Sequence, residues 1–348
     1  MAKRKKLKKG PQIGLIILAL IVVILGGLYV YQTFISDSEG PSIFRPTPDP
    51  EPEPELQILD LNSTARPFAV VINNLGAARP FHSGLQDAFI IYEMIVEGGI
   101  TRYLALFDGR TDTERIGSIR SARHYFIDYA LEHDAIFVHN GQSPQAQSDF
   151  RALGIDRIEV NPGSSGFRDN NLNVSSEHRL FTRMDLLHSA RGNMRNTRNR
   201  EPLLNYSIEL MSLSEREDAQ EASEIEIRYS AGMTSSYVFD AERGLYLRYV
   251  NGRAHIDHST GNQLTFKNII TYQVPNFSLD GTGRQGLNNV GSGTGYFITG
   301  GYAVPITWEK ASRSAQTIYR FADGSPLIVN DGNTFIQIQP RGERLSIT

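Results

Sequence analysis

The chain has 348 residues, 40 % of them apolar and 21 % charged, with a formal net charge of −3; at about 150 residues per domain this is a two-domain length. Six of its 35 basic residues lie between Lys3 and Lys9 and no acidic residue precedes Asp37, so the rest of the chain carries 29 basic against 38 acidic side chains. An acidic body excludes general nucleic-acid binding, which needs a basic face for phosphates. The absence of cysteine excludes disulfides, thiolate metal sites, a cysteine nucleophile and a lipidated cysteine anchor.

Residues 1–12 form a basic tail, and the basic cluster predicts that it stays in the cytoplasm. Ile13–Tyr31 is a stretch of nineteen positions without a charge. As a helix it would be about 29 Å long, one hydrocarbon core. It is longer than the apolar run of a cleaved signal peptide, and Tyr29, Tyr31 and Phe34 suit the far interface. We therefore expect a single transmembrane helix over 13–35, in contact with the bilayer, with the remaining chain outside. Residues 36–66 hold six prolines and seven acidic residues. Such a segment cannot bury enough apolar surface to fold and should be a disordered, extended spacer.

Beyond the spacer, residues 67–208 read as an α/β layered domain. Phe68–Ile72, Ala88–Tyr92, Tyr103–Phe107, Ala135–Val138 and Arg157–Val160 are short apolar runs expected as strands. Helices are expected over 119–133, over 144–153 with Ser143 as cap, and over 182–190. Residues 209–224 are an acidic connection, exposed in this reading. Residues 225–348 alternate β-rich runs (Leu245–Val250, Gly295–Thr299, Thr334–Gln339) with turn dipeptides such as Asn251-Gly252 and Asp331-Gly332. They predict a mostly antiparallel β domain. The whole is α+β.

Several blocks occur in a fixed order: Ile72-Asn-Asn74, Ala78-Arg-Pro80, Ser83-Gly-Leu85, Tyr92-Glu93, Val96-Glu-Gly-Gly-Ile-Thr-Arg102, Ile116-Gly-Ser-Ile-Arg-Ser-Ala-Arg123, His139-Asn-Gly-Gln-Ser-Pro144 and Phe167-Arg-Asp169. Val290-Gly-Ser-Gly293, Thr307-Trp-Glu-Lys310 and the stretch from Asp331-Gly to Pro340 continue them. Together they resemble the YerB-like family of bacterial envelope proteins over most of residues 67–348. The resemblance implies an N-terminal α/β domain and a β-rich C-terminal domain, and an envelope address. It implies no reaction. This chain departs from its lipoprotein relatives in having no cysteine to lipidate, so the apolar helix would replace that anchor.

The densest polar constellation is Glu97 to Arg102 together with Ser118 to Arg123. If a helix starts near Ser118, Arg120 and Arg123 share a face near its N-terminus. With Arg102, Ser118, Ser121 and Asn140 they would form an anion site. The alternative is a brace, in which Glu93 or Glu97 pairs with these arginines. His139 ends a predicted strand, where it could be a general base oriented by Asp169 or Glu97; alternatively it is bonded structurally. Glu93 and Glu97 are four apart and could face one side of a strand, as a glycan-cleaving pair would need, but their separation is not legible. Ser143 lacks a nucleophile-elbow context.

His124, Asp128 and His133, and His255, Asp257 and His258, have metal-ligand chemistry without a recognised metal spacing. We therefore assign no metal and no cofactor. The literal GxGxxG at 281–286 runs into no helix and reads as a loop. Trp308, the only tryptophan, reads as a sheet-packing residue.

The functional expectation is a membrane-anchored extracytoplasmic protein whose first domain binds an anionic wall polymer or glycan, or else contacts an envelope protein partner. The alternative is a wall-active hydrolase using Glu97, His139 and Asp169.

Overall fold

The computed structural model describes residues 10–31, 56–109 and 111–348, with the side chains of the first helix described from Leu20 onward. The chain divides into two units, Met1–Glu53 and Pro54–Thr348. In the first unit Gly10–Val30 is an α-helix of 21 residues. Its described side chains, Leu20 to Val30, are all exposed and cover about half of a bilayer span. Among the described residues no helix is long and apolar enough to cross a membrane. The expected cytoplasmic tail up to Lys9 and the spacer as far as Glu55 lie outside the described residues.

The second unit is α+β. Phe68–Asn73, Ile90–Ile95 and Thr101–Phe107 are buried at every position. Strands covered on both faces have no solvent side, which is why their sequences are nearly unbroken apolar runs rather than alternations. They form the antiparallel core of an eleven-stranded sheet. On one side of this core the sheet continues through the parallel strands Ile136–His139 and Arg157–Glu159. On the other side, Thr334–Pro340 lies parallel to Ile90–Ile95, with Glu93 opposite Gln337. From there the sheet runs into Asn268–Val274, Gly291–Thr299 and Tyr302–Lys310, all from beyond residue 225. One sheet thus takes strands from both sides of the acidic segment, and Gln220–Glu221 within that segment adds a short strand beside Tyr302–Lys310.

A second sheet of six strands is antiparallel. Glu224–Ser230, Met233–Asp240 and Leu245–Val250 are joined by tight turns, and Leu345–Ile347 closes one edge. The turn after Val250 uses Asn251 (φ 49°) and Gly252 (φ 72°), the left-handed pair its sequence calls for. This sheet packs on the first through aromatic rings: Phe266 meets Phe335 edge-on at 4.8 Å, and Tyr237 meets it at 6.0 Å.

The helix expected over 119–133 covers only His124–Glu132. Residues 118–123 are extended, because their backbone amides are spent on neighbours. Ile119 donates to Leu180, Arg120 to Val71 and Ala122 to Gly141. The helix Pro144–Leu153 starts as expected, with Ser143 Oγ accepting from Ala146 N at 3.2 Å. The GxGxxG stretch is a loop entering the strand Gln285–Leu287. Trp308 is buried on the sheet with its ring 4.9 Å from Tyr272.

Two fully buried ion pairs connect the early and late parts of the chain. Arg248 Nη2 meets Glu93 Oε2 at 2.8 Å, and Lys310 Nζ meets Glu132 Oε2 at 2.8 Å, all four side chains being 0 % exposed. Removing one partner of a buried pair leaves an uncompensated charge, which costs about 3–5 kcal/mol, whereas replacing both by apolar groups is often neutral. We therefore expect Arg248→Met alone to lower stability by about that amount in urea unfolding, and Glu93→Leu combined with Arg248→Met to recover most of it. Equal losses in the single and double variants would remove the pair from this role.

Candidate functional site

The polar side chains singled out from the sequence gather where the core strands end. Thr101–Phe107 carries Arg102 at its start, and the register places Arg102 opposite Asn73, the last residue of its neighbour. The extended segment 118–123 crosses these strand ends, with Asn73 N donating to Ser118 O at 2.9 Å. The strand Ile136–His139 ends beside it, and Asn140 N donates to Arg120 O at 3.1 Å.

Glu97 lies in a short 3-10 turn after Ile90–Ile95 and receives two parallel hydrogen bonds from Arg123. Nε donates to Oε1 at 2.5 Å and Nη2 to Oε2 at 2.7 Å. Arg102 Nη2 is 3.8 Å from the same carboxylate. Although burial disfavours its charge, the bonds and charge of Arg123, with Arg102 adding to them, hold Glu97 below the usual carboxylate range. Arg102 is itself buried; burial and the neighbouring Arg123 pull it down to about 9. Its Nη1 donates to Ser121 O at 2.8 Å, while its Nε has no partner. Arg120 points to Glu177 at 2.9 Å. Ser118 is fully buried with its Oγ unpartnered. Asn140 Nδ2 donates to Val160 O at 2.9 Å.

Arg102, Arg123, Glu97 and Ser121 therefore meet, with Arg120 beside them in the chain. The expected sharing of a helical face by Arg120 and Arg123 is corrected by the extended backbone: Arg123 caps the helix and Arg120 lies in the segment before it. The acid–base candidates have separate partners. His139 Nδ1 donates to Gly141 O at 2.9 Å, and its Nε2 faces Arg157 Nη1 at 3.1 Å. A nitrogen facing a guanidinium must accept, so the ring is neutral. Burial pulls it down to about 4 against the Gly141 carbonyl, and Arg157 adds to burial. Asp169 pairs with Arg115 at 2.8 Å. Glu93, expected on the same side as Glu97, turns inward to Arg248 while Glu97 faces Arg123.

Sequence reasoning did not find the network behind this cluster. Glu93 accepts from Thr101 at 2.6 Å, Ser235 at 2.8 Å and Arg248 at 2.8 Å. Arg248 also donates to Tyr103 at 3.2 Å and to Tyr237. Its Nε donates to His255 Nδ1 at 3.2 Å, and His255 Nε2 lies 2.8 Å from His82 Nδ1. His82 Nε2 in turn bonds Asn73 O. One set of tautomers satisfies the chain, each imidazole accepting at Nδ1 and donating at Nε2. His255, considered above for metal, is thus spent on a histidine and an arginine; Asp257 accepts from Gly84 N at 2.7 Å. His133 bonds Tyr92 at 2.7 Å, and Asp128 bonds Arg313 at 2.8 Å. Among the described residues no group of three or more histidine or acidic side chains is placed to hold a metal. The available signal was a lone charge at an inward position of a strand, Glu93 in one and Arg248 in another.

Comparison with known proteins gives consistent matches. Residues 56–197 match the N-terminal domain model of a protein of unknown function (DUF3048), and residues 225–336 match its C-terminal domain model. A Bacillus subtilis (strain 168) protein described as "Putative lipoprotein YerB" is 29 % identical over 289 residues, covering 81 % of this chain and 84 % of the relative. The crystal structure of YerB protein from Bacillus subtilis matches with a TM-score of 0.71 at 27 % identity, over 84 % of this chain and 99 % of that one.

The buried histidines make stability depend on pH. Burial pulls His82 to about 3, His133 to about 4 and His139 to about 4. Their folded values lie below the unfolded value of about 6.5, so the unfolded chain takes up protons first. Their contribution is complete above about pH 6.5 and is lost as pH falls toward 4. At pH 5 each histidine costs about 2 kcal/mol. Asp128, raised to about 6 by burial, opposes this by about 1 kcal/mol. The urea midpoint should therefore fall clearly between pH 7 and pH 5. An unchanged midpoint would contradict neutral buried imidazoles.

Proposed function

For a chain that belongs to the DUF3048 family, we propose an extracytoplasmic anion-binding protein of the bacterial envelope, held at the membrane by its N-terminal helix. The lysine cluster before Ile13 and the uncharged run to Tyr31 support the anchor. The lipoprotein description of the Bacillus subtilis relative supports the same side of the membrane. Here the apolar run replaces a lipid that a chain without cysteine cannot carry.

The observation that carries the binding reading is the guanidinium cluster. Arg123 already presents its planar fork to a carboxylate, Arg120 holds a second one, and Arg102 keeps a buried donor unspent behind them. Planar forks matched to carboxylate or phosphate are the chemistry of anion recognition, and lysine cannot reproduce it. An anionic wall polymer or glycan is the ligand class this favours, with an envelope protein as the other partner. The hydrolase alternative has less support, because Glu97, His139 and Asp169 each bond a different arginine.

Two measurements test the reading. Protease added to intact protoplasts should remove residues 36–348 and leave a membrane-bound stub; a protected body would overturn the topology. Arg120→Lys and Arg123→Lys should each weaken retention of the full chain on isolated cell-wall material about ten-fold, the size of one charge-assisted hydrogen bond. Melting temperatures should change little. Strong destabilisation with retention per folded molecule unchanged would make the cluster a brace.

A further inference from the structure

Glu97 and its arginines are not held in the same way. Arg123 is fixed by backbone carbonyls without Glu97: Nη1 donates to Ala122 O at 2.7 Å and reaches Ser121 O at 3.4 Å. Arg102 is fixed likewise by Ser121 O. The two guanidinium groups therefore keep their positions whatever stands in front of them, and a fork oriented in advance is what makes an anion receptor effective. Arg102 adds an Nε without a partner on a side chain only 7 % exposed. A buried donor without a protein partner calls for an explanation, and a ligand oxygen in front of the cluster is one.

The turn that carries the carboxylate is tied at both ends. Glu97 is followed by Gly98 and Gly99, at φ 69° and 72°, a left-handed pair that only glycine adopts freely. Gly98 is exposed, and a Cβ placed on it would meet nothing within 4 Å. The far end of the turn is tied down, since Ser230 Oγ donates to Gly99 O at 2.7 Å. Its near end is tied as well, Val96 N donating to Ile100 O at 2.8 Å, so the freedom on this side belongs to the Glu97 side chain, with open space beside Gly98.

We propose that Glu97 is a built-in stand-in for a ligand carboxylate, which displaces it from the Arg123 fork and is held there by Arg123 and Arg102. This rests on the anion-binding reading above and narrows it to a carboxylate, the group whose two oxygens the fork already accommodates at 2.5 and 2.7 Å. The bound state exchanges one carboxylate for another on the same donors. The Glu97 side chain swings to solvent, and the amides of Gly98 and Gly99 that follow it register the change.

The test titrates the full chain, in non-ionic detergent, with N-acetylglycine and separately with inorganic phosphate. Removing the competing charge should tighten N-acetylglycine binding at least ten-fold in Glu97→Gln, and Arg123→Lys in that background should weaken it again by about ten-fold or more. In the unaltered chain labelled with 15N-glycine, saturating N-acetylglycine should shift the Gly98 and Gly99 amide signals, a readout that does not depend on the variants folding. Binding that needs Arg123 but is unchanged in Glu97→Gln, with both glycine signals still, would overturn the displacement and leave the anion site standing. No binding of either probe to the unaltered chain or to Glu97→Gln would overturn both. Tighter binding of phosphate than of N-acetylglycine by Glu97→Gln would overturn the carboxylate assignment.

Discussion

The buried contact between Glu93 and Arg248 is the constraint around which the rest of the second unit is arranged. Two charges without solvent are tolerated only when every lone pair and proton is used. Thr101, Ser235, Tyr103, Tyr237 and His255 supply those partners, and Phe335 lies under the guanidinium at 4.1 Å. Several of these groups are ordinary strand residues whose polar tips turn inward. Their positions fix how the six-stranded sheet lies on the long one, because a shift by one residue would turn each tip to the other face. The interaction specifies alignment more than it adds stability, since an apolar replacement of both charges would hold the layers together about as well.

The network also joins this centre to the guanidinium cluster. From Arg248 the hydrogen bonds pass through His255 and His82 to Asn73, whose side chain reaches His178 at 2.8 Å. Asn73 stands opposite Arg102 in the sheet. The strand ends that carry the candidate site are thus braced by residues from beyond residue 225.

Much of the fold was legible, and the reasons differ from element to element. The core strands were visible because burial on both faces leaves unbroken apolar runs, and Leu245–Val250 because a β-rich run leads into the Asn251-Gly252 turn. The helix from Pro144 was marked by its serine cap and proline. The segment 118–123 was not legible: its residues suit a helix, and what makes them extended is the pairing of their amides with Val71, Gly141 and Leu180, partners distant in the chain. The cluster of Glu97, Arg102 and Arg123 could be collected from sequence, but not which carboxylate faced which arginine. Arg248 was hidden in a strand that otherwise reads as sheet, and only its inward phase between Tyr246 and Val250 marks it. No metal was assigned to His255, and its partners were not legible either: Arg248 takes its Nδ1 lone pair and His82 its Nε2 proton.

The position of Thr334–Pro340 has a consequence for how the chain is made. It is the strand that joins the early core to the late strands, yet it is synthesised long after the core strand it pairs with. Until it arrives, Ile90–Ile95 presents a bare row of amides and carbonyls on an apolar strand, the kind of edge that recruits other chains. Closing it requires a contact spanning more than two hundred residues, which slows folding. A chain that lacks Thr334–Pro340 would expose that edge permanently, so this one strand acts as the seal that makes the early half safe from aggregation.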